Sequence, residues 1–270
     1  MRELSVKQAF ARCLFVALLC LVPISASAQD RPKIVVVHQA LHDLTERLVD
    51  GTVDVVFPVP EGVDPSFWRP SISDISAIQS ADLILLNGAG FAAWIDRVSL
   101  PRSRLVNTSR SIEDQYIVTK SITHSHGEGD EHSHEGLASY TWLDPTMAIA
   151  QAEAIASGII KKGLLQADTV NANLASLKSE LAELDKTARE AFSTAQNVPM
   201  IATHPRYQYF ARRYALDITS LECEAGATPT AEEIADLQAR AGETNARILI
   251  WEATPPPEAF EAVANLGLQN

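Results

Sequence analysis

Residues 168–196, DTVNANLASLKSELAELDKTAREAFSTAQ, decide the fold. Val170, Leu174, Leu177, Leu181, Leu184 and Ala188 recur at steps of four and three with charged residues between them, which predicts one long amphipathic helix. Asp168 stands where an N-cap belongs, and Pro199 ends the helix by pushing Val198 toward extended backbone. The stripe lasts only a few heptads, so a helix packed along its own domain fits better than a coiled coil.

On both sides of that helix, short β-branched runs alternate with helical spacing. Lys33–Val37, Val53–Val59, Asp82–Asn87 and Arg104–Asn107 read as strands before it, with helices over Leu41–Val49, Ile72–Ser80 and Phe91–Val98. A further helix is predicted over Thr146–Lys161, with Pro145 in its first turn. Beyond it, strands are predicted at Val198–Thr203, Asp217–Leu221 and Arg247–Glu252, and helices at His204–Tyr214, Ala231–Ala241 and Glu258–Asn265. This alternation predicts an α/β fold: two lobes with mainly parallel sheets, joined by the long helix. The expected division is an N-terminal lobe over 29–166, the helix over 167–197 and a shorter C-terminal lobe over 198–270.

Residues 1–28 read as a secretory signal. Arg2, Lys7 and Arg12 make a basic start, Cys13–Ile24 is apolar but too short to span a bilayer, and Ala26-Ser27-Ala28 suits signal peptidase. Cys20 raises a lipoprotein signal, but Leu19 precedes it where a small residue belongs, so cleavage after Ala28 is expected. The exported portion would then carry a net charge of about −14, which repels nucleic acid and attracts cations. Cys13 and Cys20 leave with the signal, so Cys223 has no disulfide partner.

The strongest chemical signal is Thr123–Glu135, where His124, His126, His132 and His134 form two His-x-His pairs among four carboxylates. Neutral imidazole suits Zn²⁺, Cu²⁺ and Ni²⁺, and residues two apart in extended chain face the same side, so each pair can chelate. The plain alternative is a solvated polar loop. Without hydrophobic periodicity the segment has no core to join, which suits a collector of ions better than a rigid cage.

His204 ends an apolar strand before Pro205 and a predicted helix, the kind of strand end where parallel α/β sheets bind ligands. The helix dipole there would keep the ring neutral; the competing role is a mere helix cap. His38 and His42, spaced i, i+4, are weaker candidates, since His-Gln-Ala-Leu-His lacks the glutamate of a zincin motif. Glu222, Glu224 and Glu252 follow strands at the same edge as His204 and can add oxygen ligands. Gly88-Ala89-Gly90-Phe91-Ala92-Ala93 matches a dinucleotide fingerprint in form only: it is not in the first βα unit, and no acid follows at the next strand to hold a ribose. It reads as a tight turn.

Several stretches together resemble the zinc and manganese solute-binding proteins of ABC transporters. They are Pro60-Glu61-Gly62-Val63-Asp64-Pro65, Ser73-Asp74, Ala81–Gly88, Trp142-Leu143-Asp144-Pro145 and His204 through Tyr209–Tyr214. The resemblance implies two α/β lobes bridged by a rigid helix, a divalent ion (Zn²⁺, or Mn²⁺ or another transition metal) held in the cleft between them, and a membrane permease as partner. A His- and acid-rich loop before Trp-Leu-Asp-Pro marks the zinc-type members. Family members have His where this chain has Ser66 and Tyr140; His204 matches the third ligand position, and the fourth, a later acid, has no counterpart up to Asn270. The reading is an extracytoplasmic or periplasmic zinc-binding protein, not an enzyme, that delivers its ion to an ABC permease. The alternatives are a relative with a lost cleft site, working as a metal buffer or sensor, and a surface adhesive protein.

Overall fold

Ile34, Val35 and Val36 are at most 2 % exposed because β1 (Lys33–Val36) has a parallel neighbour on each edge. The structure is a computed structural model that describes residues 31–119, 136–223 and 227–270. Within it Pro32–Asn270 forms one compact unit. The first sheet has the order β2-β1-β3-β4, with β2 at Asp54–Val56, β3 at Leu83–Leu86 and β4 at Leu105–Asn107, every pair parallel. Helices α1 (Gln39–Val49), α2 (Ile72–Ser80) and α3 (Pro145–Lys162) cover it. Each has a local start signal: His38 caps α1, Ser71 and Asp74 form a capping box on α2, and Asp144 caps α3 ahead of Pro145.

The long helix α4 runs Ala167–Ala191, about 37 Å at the usual rise per residue. Val170 and Leu177 are buried, with Leu174 and Leu181 packed beside them against the first sheet's core, whereas Leu184 is 56 % exposed. The apolar stripe therefore leaves the first core before its end, and Ala188 joins Tyr214 and Leu216 of the second lobe. Asp168 lies in the first turn rather than at the cap; Gln166 holds the cap position without a side-chain bond.

The second sheet is β8-β7-β9, again parallel, from β7 (Pro199–Ala202), β8 (Asp217–Ser220) and β9 (Ile248–Ile250). Around it lie α5 (Gln208–Tyr214), α6 (Ala231–Thr244) and α7 (Pro257–Val263). Tyr209 of α5 is fully buried among Ile112, Ala138 and Met147; its hydroxyl donates to the Ala138 carbonyl at 2.8 Å and accepts from the Ile117 amide at 3.2 Å. The lobes thus share a small core besides α4.

Two sequence expectations change here. Phe91–Val98 is not an α-helix; only a 3₁₀ turn forms at Ile95–Arg97, while Phe91, Ala92 and Trp94 are buried from an irregular segment. The helix predicted from His204 begins at Gln208, since His204 precedes a proline, where helical backbone is disfavoured.

The Gly88-Ala89-Gly90 stretch is a turn with φ of 82°, 49° and 76°. A Cβ at Gly88 would collide with Ser109 Oγ and Asn107 Oδ1 and lie 2.8 Å from the Tyr116 hydroxyl. Gly88→Ala is therefore expected to cost about 2–3 kcal/mol, from left-handed backbone and overpacking together. A urea midpoint unchanged from wild type would show that these neighbours move aside freely.

Candidate metal centre

His204 follows β7 and is half-buried between the lobes. Its Nδ1 lies 3.0 Å from the Cys223 carbonyl, which can only accept, so Nδ1 carries the proton and Nε2 keeps the lone pair. Burial chiefly holds its pKa below the ordinary imidazole value; the Cys223 carbonyl opposes the shift and the nearby Arg206 charge reinforces it. Because the helix starts four residues later, at Gln208, burial rather than a helix dipole keeps this ring neutral. His204 lines a cavity of about 320 Å³ together with Ser66, Tyr140, Gln208 and Glu222. Thr119 and Leu137 complete part of its wall; they belong to β5 (Val118–Thr119) and β6 (Gly136–Leu137), an antiparallel pair that flanks the histidine-rich stretch.

The opposite wall comes from the loop after β2 and the segment before α3. Ser66 Oγ and the Tyr140 hydroxyl, at the two positions where the resemblance calls for histidine, are 3.0 Å apart and hydrogen-bonded. Burial pushes the Tyr140 phenol up to about 12, so it is a neutral hydroxyl here. Arg206 crosses the cleft: its Nη2 donates to Asp64 Oδ2 at 2.6 Å, its Nε is ion-paired with Glu252, and its guanidinium lies 4.7 Å from the Tyr140 ring centroid. For Asp64 burial raises the pKa, but the Ser66 amide and Arg206 outweigh it and hold the carboxyl below the usual range. Glu252 follows β9 with its side chain 9 % exposed, and burial pushes its pKa up despite Arg206. Its Oε2 has no hydrogen-bond partner among the described residues and lies 3.9 Å from His204 Nδ1.

The remaining sequence candidates fall in different places. His38 is 2 % exposed; Nδ1 accepts from the Leu41 amide at 3.2 Å, Nε2 donates to Asn87 Oδ1 at 3.1 Å, and the ring stacks on Trp142 at 3.9 Å. With both nitrogens engaged it serves as a buried helix cap. His42 lies along α1 beside Asp43 and Glu46 and does not converge with His38. Glu222 is exposed on the cavity wall. His124, His126, His132, His134 and Glu224 lie outside the described residues, as does the signal over 1–28. Sequence reasoning missed Arg206, and its only signal was an arginine two residues beyond a site histidine.

A zinc site takes about four nitrogen, sulfur or oxygen donors. Among the described residues no three His, Cys, Asp or Glu side chains are placed to hold an ion together. His204 Nε2 is a ready donor and Glu222 lies on the same wall, so the described part of the cleft fits a metal only in part.

The chain matches the family model for the zinc-uptake complex component A, periplasmic (ZnuA), over residues 34–267. It is 25 % identical over 255 residues to the high-affinity zinc uptake system protein ZnuA of Bacillus subtilis, covering 88 % of this chain and 76 % of that one. It is 26 % identical over 272 residues to the manganese ABC transporter substrate-binding lipoprotein PsaA of Streptococcus pneumoniae, covering 96 % and 84 %. Among solved structures, Zn(II)-bound AdcA of Streptococcus pneumoniae superposes with a TM-score of 0.72 at 18 % identity, covering 88 % of this chain and 50 % of that one. With 34–267 matched, this chain belongs to the family of the periplasmic A component of zinc-uptake complexes.

Proposed function

We propose that this protein is the extracytoplasmic binding component of an ABC-type uptake system, capturing a divalent transition metal, zinc foremost, and passing it to a membrane permease. Members of this family are solute-binding proteins, not enzymes. The observation that carries the reading is the placement of His204: a neutral imidazole whose Nε2 keeps its lone pair lines a cavity also walled by Thr119 and Leu137, on either side of the histidine-rich stretch. Ions gathered by His124, His126, His132 and His134 would then be released beside His204, with Glu222 on the same wall adding a carboxylate that Ser66 and Tyr140 do not offer. Export with cleavage after Ala28 belongs to the same proposal, because the donors would meet extracellular or periplasmic metal.

One observation favours a second reading. With Ser66 and Tyr140 hydrogen-bonded to each other and Arg206 between Asp64 and Glu252, these cleft groups are engaged with one another, as in a buffer whose histidine-rich segment works alone. Calorimetric zinc titration with and without residues 123–135 separates the two. Deletion is expected to lower the stoichiometry while one tighter site remains, and to leave the metal-free melting temperature within about 2 °C. Loss of all zinc binding on deletion would favour the buffer, and unchanged stoichiometry would show that the segment takes up no zinc.

A further inference from the structure

A groove of about 330 Å³ lies between the loop after β2 and the segment that follows the Gly88-Ala89-Gly90 turn, and it shares Ser66 and Phe67 with the wall of the His204 cavity. Trp68 and Trp94, both buried and edge-to-face with ring centroids 5.8 Å apart, give it a fixed apolar lining. Phe67 is 66 % exposed there, and Ile72, at the start of α2, is 88 % exposed. Leu137 on the cavity wall, Val118 beside Thr119 and Val63 just ahead of Ser66 are exposed as well. Among the described residues only Leu184 and Phe260 are other exposed large apolar side chains, so this surface gathers around the cavity instead of scattering. Arg69 and Arg97 line the groove, no acidic side chain does, and neither guanidinium has an ion pair among the described residues. Asp64, close by in the chain, is taken by Arg206. On a chain of net charge −12, this is a local inversion of sign.

We infer that this groove is a docking site for the membrane permease, which enters it with an extracytoplasmic segment carrying a carboxylate next to an apolar side chain. The carboxylate pairs with Arg69 and Arg97, whose planar guanidiniums suit it in geometry as well as charge. The apolar neighbour covers Phe67 and the two tryptophans, and tryptophan with arginine is the composition that anchors protein interfaces. An acidic segment is repelled by the rest of an acidic chain, so charge selects this groove. Contact here also sets the partner against Ser66 and Phe67, the residues shared with the cavity from which an ion would leave. The inference rests on the proposed transport function.

The test is uptake of radioactive Zn²⁺ by cells that lack their own copy of the gene and produce wild type or a variant of the full chain. Arg69→Glu/Arg97→Glu should lower uptake by about tenfold or more, while the purified protein keeps its melting temperature and its Zn²⁺ affinity in chelator competition. Arg69→Lys/Arg97→Lys keeps both charges and should restore most of the uptake. If the double reversal does not fold, Arg97→Glu alone should still lower uptake by about threefold. A photo-cross-linker in place of Ala93, exposed on the groove wall, should attach in whole cells to a permease peptide that contains Asp or Glu. Wild-type uptake by the folded charge-reversed variants, or attachment to a second copy of this chain, overturns the docking inference alone. Wild type that takes up no Zn²⁺ into these cells overturns the transport reading, and the docking inference with it.

Discussion

Replacing His204 with alanine is expected to weaken the tightest zinc-binding event by about 100-fold, because a four-ligand zinc site is worth ~10–16 kcal/mol and one nitrogen about 3 of them. The geometry makes this ring difficult to replace. The Cys223 carbonyl fixes the tautomer with Nδ1 protonated, and Nε2 keeps the lone pair of a ring that lines the cavity. Its depressed pKa also means that protons compete little with metal near neutral pH. Weak uptake by the histidine-rich stretch should survive the substitution. Competition against a chelator, wild type beside His204→Ala, reads both events. Identical curves would end the claim of a cleft site and leave His204 as a structural residue.

Acid is expected to destabilise the fold through His38. Burial lowers its pKa from 6.5 to about 3, so between these values the unfolded chain binds a proton that the native chain refuses. Stability is then fully present above pH 6.5 and falls with decreasing pH by about 1.4 kcal/mol per unit until the folded pKa is reached. By pH 4 this single group should have removed about 3 kcal/mol. His38→Asn keeps a capping side chain but does not titrate there, so the difference between the two proteins isolates the effect from the acid loss that Asp64 and Asp185 also bring. Urea unfolding at pH 7 and pH 4 measures it. Parallel losses in the two proteins would show that His38 gains a proton in the native state.

The fold was largely legible, because its decisive features are periodic. The runs at Ile34–Val37, Leu83–Leu86 and Met200–Ala202 are continuous and apolar, as expected of parallel strands with both faces covered, and the α4 stripe repeats for several turns. The errors fell where periodicity is short. Phe91, Trp94 and Val98 have helical spacing, yet three consecutive positive φ values just before them leave only one 3₁₀ turn. The site was less legible, since a cleft is assembled from residues far apart in the chain. Nothing in the sequence tells that Arg206 meets Asp64, 142 positions earlier, or that Asn87 gathers bonds from His38, Thr141 and Gln151. The capping role of His38 was hidden for the same reason. A histidine after a strand reads as a ligand until Trp142 is seen stacked on it.

Tyr209 has a consequence for how the molecule responds as a whole. A side chain from α5 that is wholly enclosed by Ile112, Ala138 and Met147 cannot stay packed if either lobe melts. Together with α4, which contributes Leu177 to one core and Ala188 to the other, it makes the two sheets unfold as one cooperative system rather than in sequence. If His204 on the second lobe holds an ion as proposed, that ion is expected to protect amides of the first sheet from hydrogen exchange.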